Sequence, residues 1–136
     1  MLTVLSMLLG LTSCTDDDNP RTYWGTSQKQ DGVHFVEFKG SRDITPTGYY
    51  LTTAIGTADT PRSLPKDWKL MARLNPTDDW TTISTVTNDT RLPAKDGETV
   101  RYDLDVTGKQ WQYFRFEVSA TQGNSTVLLG DLDIDY

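Results

Sequence analysis

Carboxylates are the first candidates for chemistry in this sequence. The chain carries 19 Asp and Glu among its 136 residues, and glycoside hydrolysis requires a pair of carboxylates. Several carboxylates close together could instead bind Ca²⁺. However, Asp78 and Asp79 lie in a predicted turn, and Asp131, Asp133 and Asp135 occupy the solvent-facing positions of a predicted strand. The sequence therefore predicts no catalytic residues, no metal site and no cofactor.

The other reactive residue types form no recognisable constellation. The sequence has no nucleophile elbow, no phosphate-cradling glycine loop and no cluster with metal-ligand spacing. His34 is the single histidine and has no second histidine or cysteine near it, which argues against metal binding and catalysis. Cys14 is the single cysteine, so an intrachain disulfide is impossible. The protein is predicted not to be an enzyme.

The N-terminal segment is typical of a bacterial secretion signal. Residues 2–11 form an apolar run that fits a signal peptide and is shorter than the ~20 residues that span a bilayer. The Leu-Thr-Ser-Cys sequence that ends at Cys14 resembles the lipobox of bacterial lipoproteins, in which the cysteine is acylated after the preceding peptide is cleaved. The alternative is a buried cysteine in a first strand. The acidic residues and Pro20 that follow at once argue against it.

Three consecutive carboxylates, Asp16 to Asp18, favour a solvated tether after this cysteine. An acidic run at this place resembles the surface-export signal of Bacteroidetes lipoproteins. The chain is thus predicted to divide into a signal peptide (1–13), a lipidated acidic tether (14–21) and one folded domain (22–136). The predicted location is the bacterial cell envelope, with a lipid anchor in the outer membrane and the module facing either the cell surface or the periplasm.

The charge of the chain excludes one class of partner. The formal net charge is −6, whereas a protein that binds a phosphate backbone needs a basic surface. No nucleic acid partner is expected. A membrane is expected to be a partner only through the lipid anchor.

The folded domain has the pattern of an all-β protein. Short runs rich in β-branched and aromatic residues are separated by turn residues, and no long stretch has helical periodicity. Because each run has one apolar face, two sheets packed face to face are expected. Seven strands are predicted, at residues 33–38, 48–54, 68–74, 81–87, 99–106, 112–120 and 131–136.

Alternation along the later strands predicts which side chains face the core. Arg115 lies on the opposite face of its strand, and it is predicted to be a structural partner of a carboxylate or backbone carbonyl rather than a ligand contact. The side chains predicted to face inward are Val100, Tyr102, Leu104, Val106, Phe114, Phe116, Val118, Leu132, Ile134 and Tyr136.

Five patches, in this order along the chain, carry a resemblance to a known family. They are the patch at residues 47–53 with Arg62 and Pro65 beyond it, Trp68-Lys69-Leu70, Trp80-Thr81-Thr82-Ile83, Gln112 to Val118, and Leu128 to Ile134. The fourth is similar to the family pattern Y-x-Y-x-R-x-x-V/I, and the fifth to its closing L-x-L-[AS]-E-[LI] strand. Together they cover about residues 33 to 136 and resemble the discoidin, or coagulation-factor type C, domain.

This resemblance implies an all-β, two-sheet antiparallel sandwich: a jelly roll of the galactose-binding-like class, which many carbohydrate-binding modules share. It also implies that Trp68 and Trp80 anchor the core. Only nine residues separate Cys14 from Trp24, so the fold is expected to be N-terminally shortened. The family's calcium loop would lie in the missing segment, and its terminal Glu is replaced by Asp131. No calcium is therefore expected to bind.

The resemblance also suggests where a ligand could bind. Sugar-binding members often use polar loop residues at one rim of the sandwich, which points to Asp59 and Arg62. Tyr23, Trp24 and Trp111 are candidates for an aromatic platform on which a sugar ring stacks. Each has a plainer alternative, which is solvation for the polar pair and packing for the aromatic residues.

The sequence therefore predicts a non-catalytic cell-envelope lipoprotein module that binds carbohydrate or a glycoprotein. The alternative is a structural accessory subunit that mediates protein–protein contacts in a larger envelope complex. A shallow rim is better suited to binding than to excluding water for chemistry. The rim residues themselves do not distinguish a glycan from a protein partner.

Overall fold

A computed structural model describes residues 2–3, 24–26, 29–30, 33–54, 60–95, 97–105, 108–123 and 127–136; of these, residues 2–3, 24–26, 29–30 and 60–61 are described by their backbone alone. The described residues form eleven β-strands and one turn of 3-10 helix, at Thr60–Ser63. The strands are β1 (Leu2–Thr3), β2 (Trp24–Thr26), β3 (Lys29–Gln30), β4 (Val33–Ile44), β5 (Gly48–Thr52), β6 (Pro65–Arg73), β7 (Thr81–Val86), β8 (Thr99–Asp103), β9 (Trp111–Thr121), β10 (Val127–Leu129) and β11 (Asp131–Asp135).

The strands form a two-sheet sandwich with a small accessory ribbon. One sheet has the order β3-β4-β9-β6-β7, the other has the order β1-β11-β5-β8, and β10 pairs with β2. All these pairings are antiparallel. The two-sheet all-β prediction is confirmed.

The core lies between the two large sheets and is rich in aromatic residues. Trp68 of β6 is buried, meets the ring of Tyr102 edge-on at 5.2 Å, and donates a 2.9 Å hydrogen bond from Nε1 to the hydroxyl of Tyr49. Phe114 and Phe116 of β9 are fully buried. The hydrogen bond between Trp68 and Tyr49 links β6 of one sheet to β5 of the other.

All seven predicted strands are present, although their ends differ. Strand β4 continues six residues past the expected end at Phe38, because it pairs with β9 beyond Lys39 through an irregularity that ends at the Ile44–Trp111 pair. The short strands β1, β2, β3 and β10 were not predicted. Runs of two or three residues carry too little alternation to be recognised.

Two predicted core positions are wrong. Trp80 lies in the turn between β6 and β7 and is partly exposed, with the guanidinium of Arg73 stacked 4.1 Å from its ring centroid. Tyr136 follows the end of β11 and is 41% exposed, while Leu132 and Ile134 of that strand are fully buried. Alternation ceases to predict burial once the strand has ended.

The first strand bears on the predicted signal peptide. The backbone of β1 pairs with β11, with Leu2 opposite Ile134 and Thr3 opposite Asp133. Removal of residues 1–13 would turn β11 into an edge strand, and the charged side chains along it would oppose pairing with another chain. The signal peptide and tether stay predictions, since Cys14 and residues 15–21 lie outside the described residues.

The antiparallel order brings three loops to one end of the sandwich. The segments that follow β5, β7 and β9 all leave the sheets at this end. We call the described residues 60–64, 87–92 and 122–123 of these segments the Arg62 rim. The β4–β5, β6–β7 and β8–β9 connections lie at the opposite end.

Candidate functional site

Arg62 is the predicted ligand residue that the structure places most clearly at a surface. It lies in the 3-10 helix of the Arg62 rim and is exposed. The buried Ser63 and Leu64 that follow hold this turn against the core. Within the described part of the chain, no residue forms an ion pair or a hydrogen bond with the Arg62 guanidinium.

Gly123 allows Arg62 to lie close to the neighbouring turn. Its φ is +154°, a region that residues with a side chain rarely adopt. A Cβ at this position would lie 3.1 Å from Nε of Arg62 and 3.6 Å from its Nη2. The absence of a side chain thus lets the guanidinium lie across the backbone of the β9–β10 turn.

Hydrogen bonds from backbone and side-chain amides join the three loops of the Arg62 rim into one unit. The Gln122 amide donates to the carbonyl of Leu64 at 3.0 Å, and the Gln122 side-chain amide donates to the carbonyl of Asp89 at 3.1 Å. The Asp89 amide in turn donates to the carbonyl of Lys66 at 2.9 Å. Fixing the loops before a ligand arrives lowers the ordering entropy that binding must overcome.

The side chain of Asp89 fastens this unit to the core. It is buried, accepts a 2.9 Å hydrogen bond from the hydroxyl of Tyr102, and accepts the amides of Arg91 and Leu92 at 3.1 and 3.0 Å. Burial, followed by this hydrogen bond to Asp89, raises the pKa of Tyr102. The hydroxyl therefore stays protonated and acts as a structural donor.

The remaining predicted ligand residues are placed less favourably or are not described. Trp111 is only 9% exposed and belongs to the hydrophobic core at the end of the sandwich opposite the Arg62 rim, so its placement favours packing over stacking with a sugar. The backbone of Trp24 pairs with Leu129, and its side chain is not described. Tyr23 and Asp59 lie outside the described residues. Of the five candidates, only Arg62 and Trp111 have described side chains, and these two lie at opposite ends of the sandwich.

Two other arginines are occupied by structural contacts. Arg115 forms 2.7 Å ion pairs with Glu37 and Glu117, as the sequence predicted. Arg101 pairs with Asp135 and with Asp103, and the hydrogen bond to Asp135 is the main cause of its raised pKa. These cations brace the outer faces of the two sheets.

Asp131 is the residue that the sequence resemblance matches to a terminal glutamate. Partial burial, and then the nearby charge of Asp133, raises the pKa of Asp131 to about 6. Its Oδ1 accepts the amide of Leu132 at 2.9 Å. Within the part of the chain that the structure covers, no three His, Cys, Asp or Glu side chains are grouped to hold a metal ion. The expectation that calcium does not bind stays a prediction.

Sequence reasoning missed the residues that assemble the rim. Residues 122–124 were recognisable as a turn, but no local pattern indicates that Gln122 reaches two other loops. Asp89 follows a strand as many surface acids do, and its burial depends on Tyr102 in a later strand.

Among the described residues there is no helix with the length and apolar character needed to cross a membrane.

Comparison with known proteins identifies the fold. No protein-family model matches the chain, and no curated protein sequence matches it. A family 32 carbohydrate-binding module from Clostridium perfringens, solved in complex with GalNAc-β-1,3-galactose, superposes with a TM-score of 0.65 at 10% identity, over 88% of this chain and 79% of that one. The F5/8 type C domain of a Bacteroides fragilis protein gives a TM-score of 0.65 at 14% identity, over 87% and 75% of the two chains.

A third structure is similar to the same extent. It is a fragment of a putative chitobiase from Bacteroides thetaiotaomicron, with a TM-score of 0.63 at 21% identity, over 87% of this chain and 70% of that one. At such identities the likeness establishes the fold alone. The chain has the discoidin-like, galactose-binding-like β-sandwich fold, as the sequence predicted.

Proposed function

We propose that this chain is a non-catalytic carbohydrate-binding module that holds a glycan at the Arg62 rim. The observation that carries the proposal is the exposed guanidinium of Arg62 on a rim held by hydrogen bonds between loops. The fold supports it, because the Clostridium perfringens module that shares this fold was solved with a disaccharide. A guanidinium presents several fixed donors, which suits the hydroxyl or carboxylate oxygens of a sugar.

A binding role fits the described residues better than a catalytic one. Asp89 is a buried acid of the Arg62 rim, and its two carboxylate oxygens already accept three hydrogen bonds. A general acid or base needs a free oxygen within hydrogen-bond reach of its substrate. The rim therefore offers donors for recognition rather than a pair of carboxylates for hydrolysis.

Replacing Arg62 by Ala is expected to weaken glycan binding about 10- to 100-fold. Hydrogen bonds from a charged donor contribute about 1.5–3 kcal/mol, and each 1.4 kcal/mol is a factor of about ten in affinity. A glycan array probed with the full chain identifies the ligand, and isothermal titration calorimetry measures its dissociation constant for both proteins.

The matched control is Arg42→Ala. Arg42 is also exposed and contacts an aromatic ring, that of Tyr136 at 5.4 Å, but it lies near the opposite end of the sandwich. This variant should bind the glycan as the wild type does. Equal losses for both variants would remove Arg62 from the site. An array without any bound glycan, together with capture of a defined envelope protein, would favour the accessory-subunit function instead.

We further propose that the module is a lipoprotein of the bacterial outer membrane, anchored through Cys14. The support is the lipobox-like sequence before Cys14 and the acidic tether after it. Replacing Cys14 by Ser should abolish labelling by a fatty-acid probe in a bacterial host, because only the thiol accepts the first lipid. Several acyl chains hold a protein on a membrane, whereas one alone is marginal. A wild-type protein that takes up no label would rule out this anchor.

A further inference from the structure

A row of cations and aromatic rings crosses the outer face of the five-stranded sheet. Lys39 of β4 and Arg73 of β6 both lie opposite Tyr113 of β9 in the strand register. Trp80 extends the row from the turn before β7. We call these four residues the cation–aromatic row. Lys39 is exposed and the other three are partly exposed, so the row forms part of the protein surface.

Close contacts hold the row in a defined arrangement. Nζ of Lys39 lies 5.5 Å from the ring centroid of Tyr113, and the guanidinium carbon of Arg73 lies 5.8 Å from the same centroid. Arg73 also stacks on Trp80 at 4.1 Å, and its Nη1 donates to the carbonyl of Asp78 at 3.2 Å. Cation–π contacts of this kind restrict long side chains that would otherwise be mobile.

The two cations of the row carry charge that no described carboxylate neutralises. Neither Lys39 nor Arg73 forms an ion pair within the described residues. Arg115, on the same face of the sheet, is by contrast paired with both Glu37 and Glu117. The carboxylate of Asp78 accepts hydrogen bonds from the backbone and side-chain amides of Asn75, at 3.0 and 3.1 Å.

We propose that the cation–aromatic row binds an acidic polysaccharide, one bearing carboxylate or sulfate groups, that lies across the strands. Adjacent strands are about 4.8 Å apart, which separates Lys39 and Arg73 by about 10 Å across β9. A polymer with regularly repeated acidic groups can place one charge on each cation. The ring of Tyr113 lies between them and offers an apolar surface to the C–H groups of the intervening sugar.

The net charge of −6 does not oppose this assignment. At physiological salt, charges on the surface are screened beyond about 8 Å. The local balance of charge therefore decides whether an anion is attracted, and the row itself carries two cations and no acid. In the neighbouring row, Arg115 pairs with both Glu37 and Glu117 and leaves one negative charge, and the cation of Lys69 lies opposite Glu117.

This site is separate from the Arg62 rim. Arg73 ends β6 and Tyr113 lies near the start of β9, so both lie toward the opposite end of the sandwich. The acidic polymer and the glycan of the rim could thus be bound independently. Arg62→Ala should leave binding of the acidic polymer unchanged, which separates failure of this proposal from failure of the proposed function.

Affinity gel electrophoresis of the full chain tests the site. Gels contain polygalacturonate as the carboxylated polymer, dextran sulfate as the sulfated polymer, or neutral dextran. The wild type should be retarded by at least one acidic polymer, less so as salt is raised, and should pass neutral dextran freely. Retardation by only one acidic polymer identifies the recognised group. Equal mobility in all three gels would overturn the proposal.

Lys39→Gln and Lys69→Gln form a matched pair of variants. Both lysines are exposed on the outer face of this sheet and both changes remove one charge, but Lys69 lies opposite Glu117 and outside the row. Lys39→Gln should weaken binding about two- to fivefold, since an exposed ion pair is worth about 0.2–1 kcal/mol. Lys69→Gln should change it little. Equal weakening would show that only net charge matters and would overturn the site.

The double variant Lys39→Gln/Arg73→Gln should bind the acidic polymer about tenfold or more weakly, because it removes both charges. Arg73 also contacts Trp80, so circular dichroism must first show the wild-type fold. Should the double variant unfold, Lys39→Gln alone decides the matter. Retention of full binding by a folded double variant, or loss of binding in Arg62→Ala, would place the polymer elsewhere.

Discussion

Replacing Trp68 by Ala is expected to lower the free energy of unfolding by about 3–5 kcal/mol. The indole is 1% exposed and contacts the rings of Tyr102 and Phe116, so its removal leaves a cavity where the two sheets meet. It also removes the hydrogen bond from Nε1 to the hydroxyl of Tyr49. Against a total stability of about 5–15 kcal/mol, this loss is measurable by urea unfolding. Trp68→Phe provides a milder variant if the Ala protein does not fold.

Trp80→Ala is the matched control, since it removes the same side chain from a partly exposed turn. It should cost about 1 kcal/mol, because it chiefly removes the stacking of the Arg73 guanidinium on the indole ring. The sequence resemblance predicted both tryptophans as core anchors, so the pair of measurements tests the correction directly. An equal loss in the free energy of unfolding for the two variants would indicate that Trp80 is packed in the core and would contradict the structure.

Replacing Asp89 by Ala is expected to destabilise the protein by about 3 kcal/mol. The change leaves three donors without their acceptor, namely the hydroxyl of Tyr102 and the amides of Arg91 and Leu92. A buried polar group without a partner costs about 1–3 kcal/mol, and water can reach part of this loop to relieve some of that cost. Urea unfolding of both proteins at neutral pH measures the difference.

Asp89→Asn separates hydrogen bonding from charge. The asparagine oxygen can still accept the two backbone amides, while its NH₂ group can donate to the hydroxyl oxygen of Tyr102. We expect the free energy of unfolding to fall by about 1 kcal/mol or less. If the Asn variant is as unstable as the Ala variant, the negative charge stabilises this loop rather than the number of acceptors. A stable Ala variant would mean that Asp89 does not hold the rim.

The stability of the core and the geometry of the candidate site are connected through this residue. The Asp89 carboxylate accepts a hydrogen bond from Tyr102, whose ring packs against Trp68. The Asp89 carbonyl accepts a hydrogen bond from the side chain of Gln122. The Arg62 rim is therefore held by the same aromatic cluster that holds the two sheets together. A rim held in this way can present Arg62 in one position at a low entropic cost on binding.

Much of the fold could be predicted because its signals are local. In β9 and β11, apolar and polar side chains alternate with the period of a strand, and Phe114, Phe116, Leu132 and Ile134 are buried as that period predicts. Arg115 was likewise predicted to be a structural partner of a carboxylate or a backbone carbonyl, and it forms ion pairs with Glu37 and Glu117. The order of the five sequence patches then favoured one arrangement of such strands, the discoidin-like sandwich.

The candidate site could be predicted only in part. Arg62 was predicted from its place in a loop after β5, and the structure puts it at an exposed rim. Trp111 was also a candidate, but it is buried, because its strand begins early enough to pair with Ile44. Tyr23 and Asp59 lie outside the described residues. Loops lack a periodicity from which their contacts could be derived.

The sequence by itself determined the seven longer strands and most of their inward faces, because these depend on spacing within a few residues. The resemblance carried by the five patches implied the class of sandwich. Only the tertiary structure decided which loops meet. Gln122 reaches Leu64 and Asp89, and Arg73 reaches Trp80 and Tyr113. These contacts join segments that antiparallel pairing brings to the same end or face of a sheet. The residues next to a position in the chain do not indicate which distant segments will pair with it. The Arg62 rim and the cation–aromatic row can therefore be identified only from the assembled sheets.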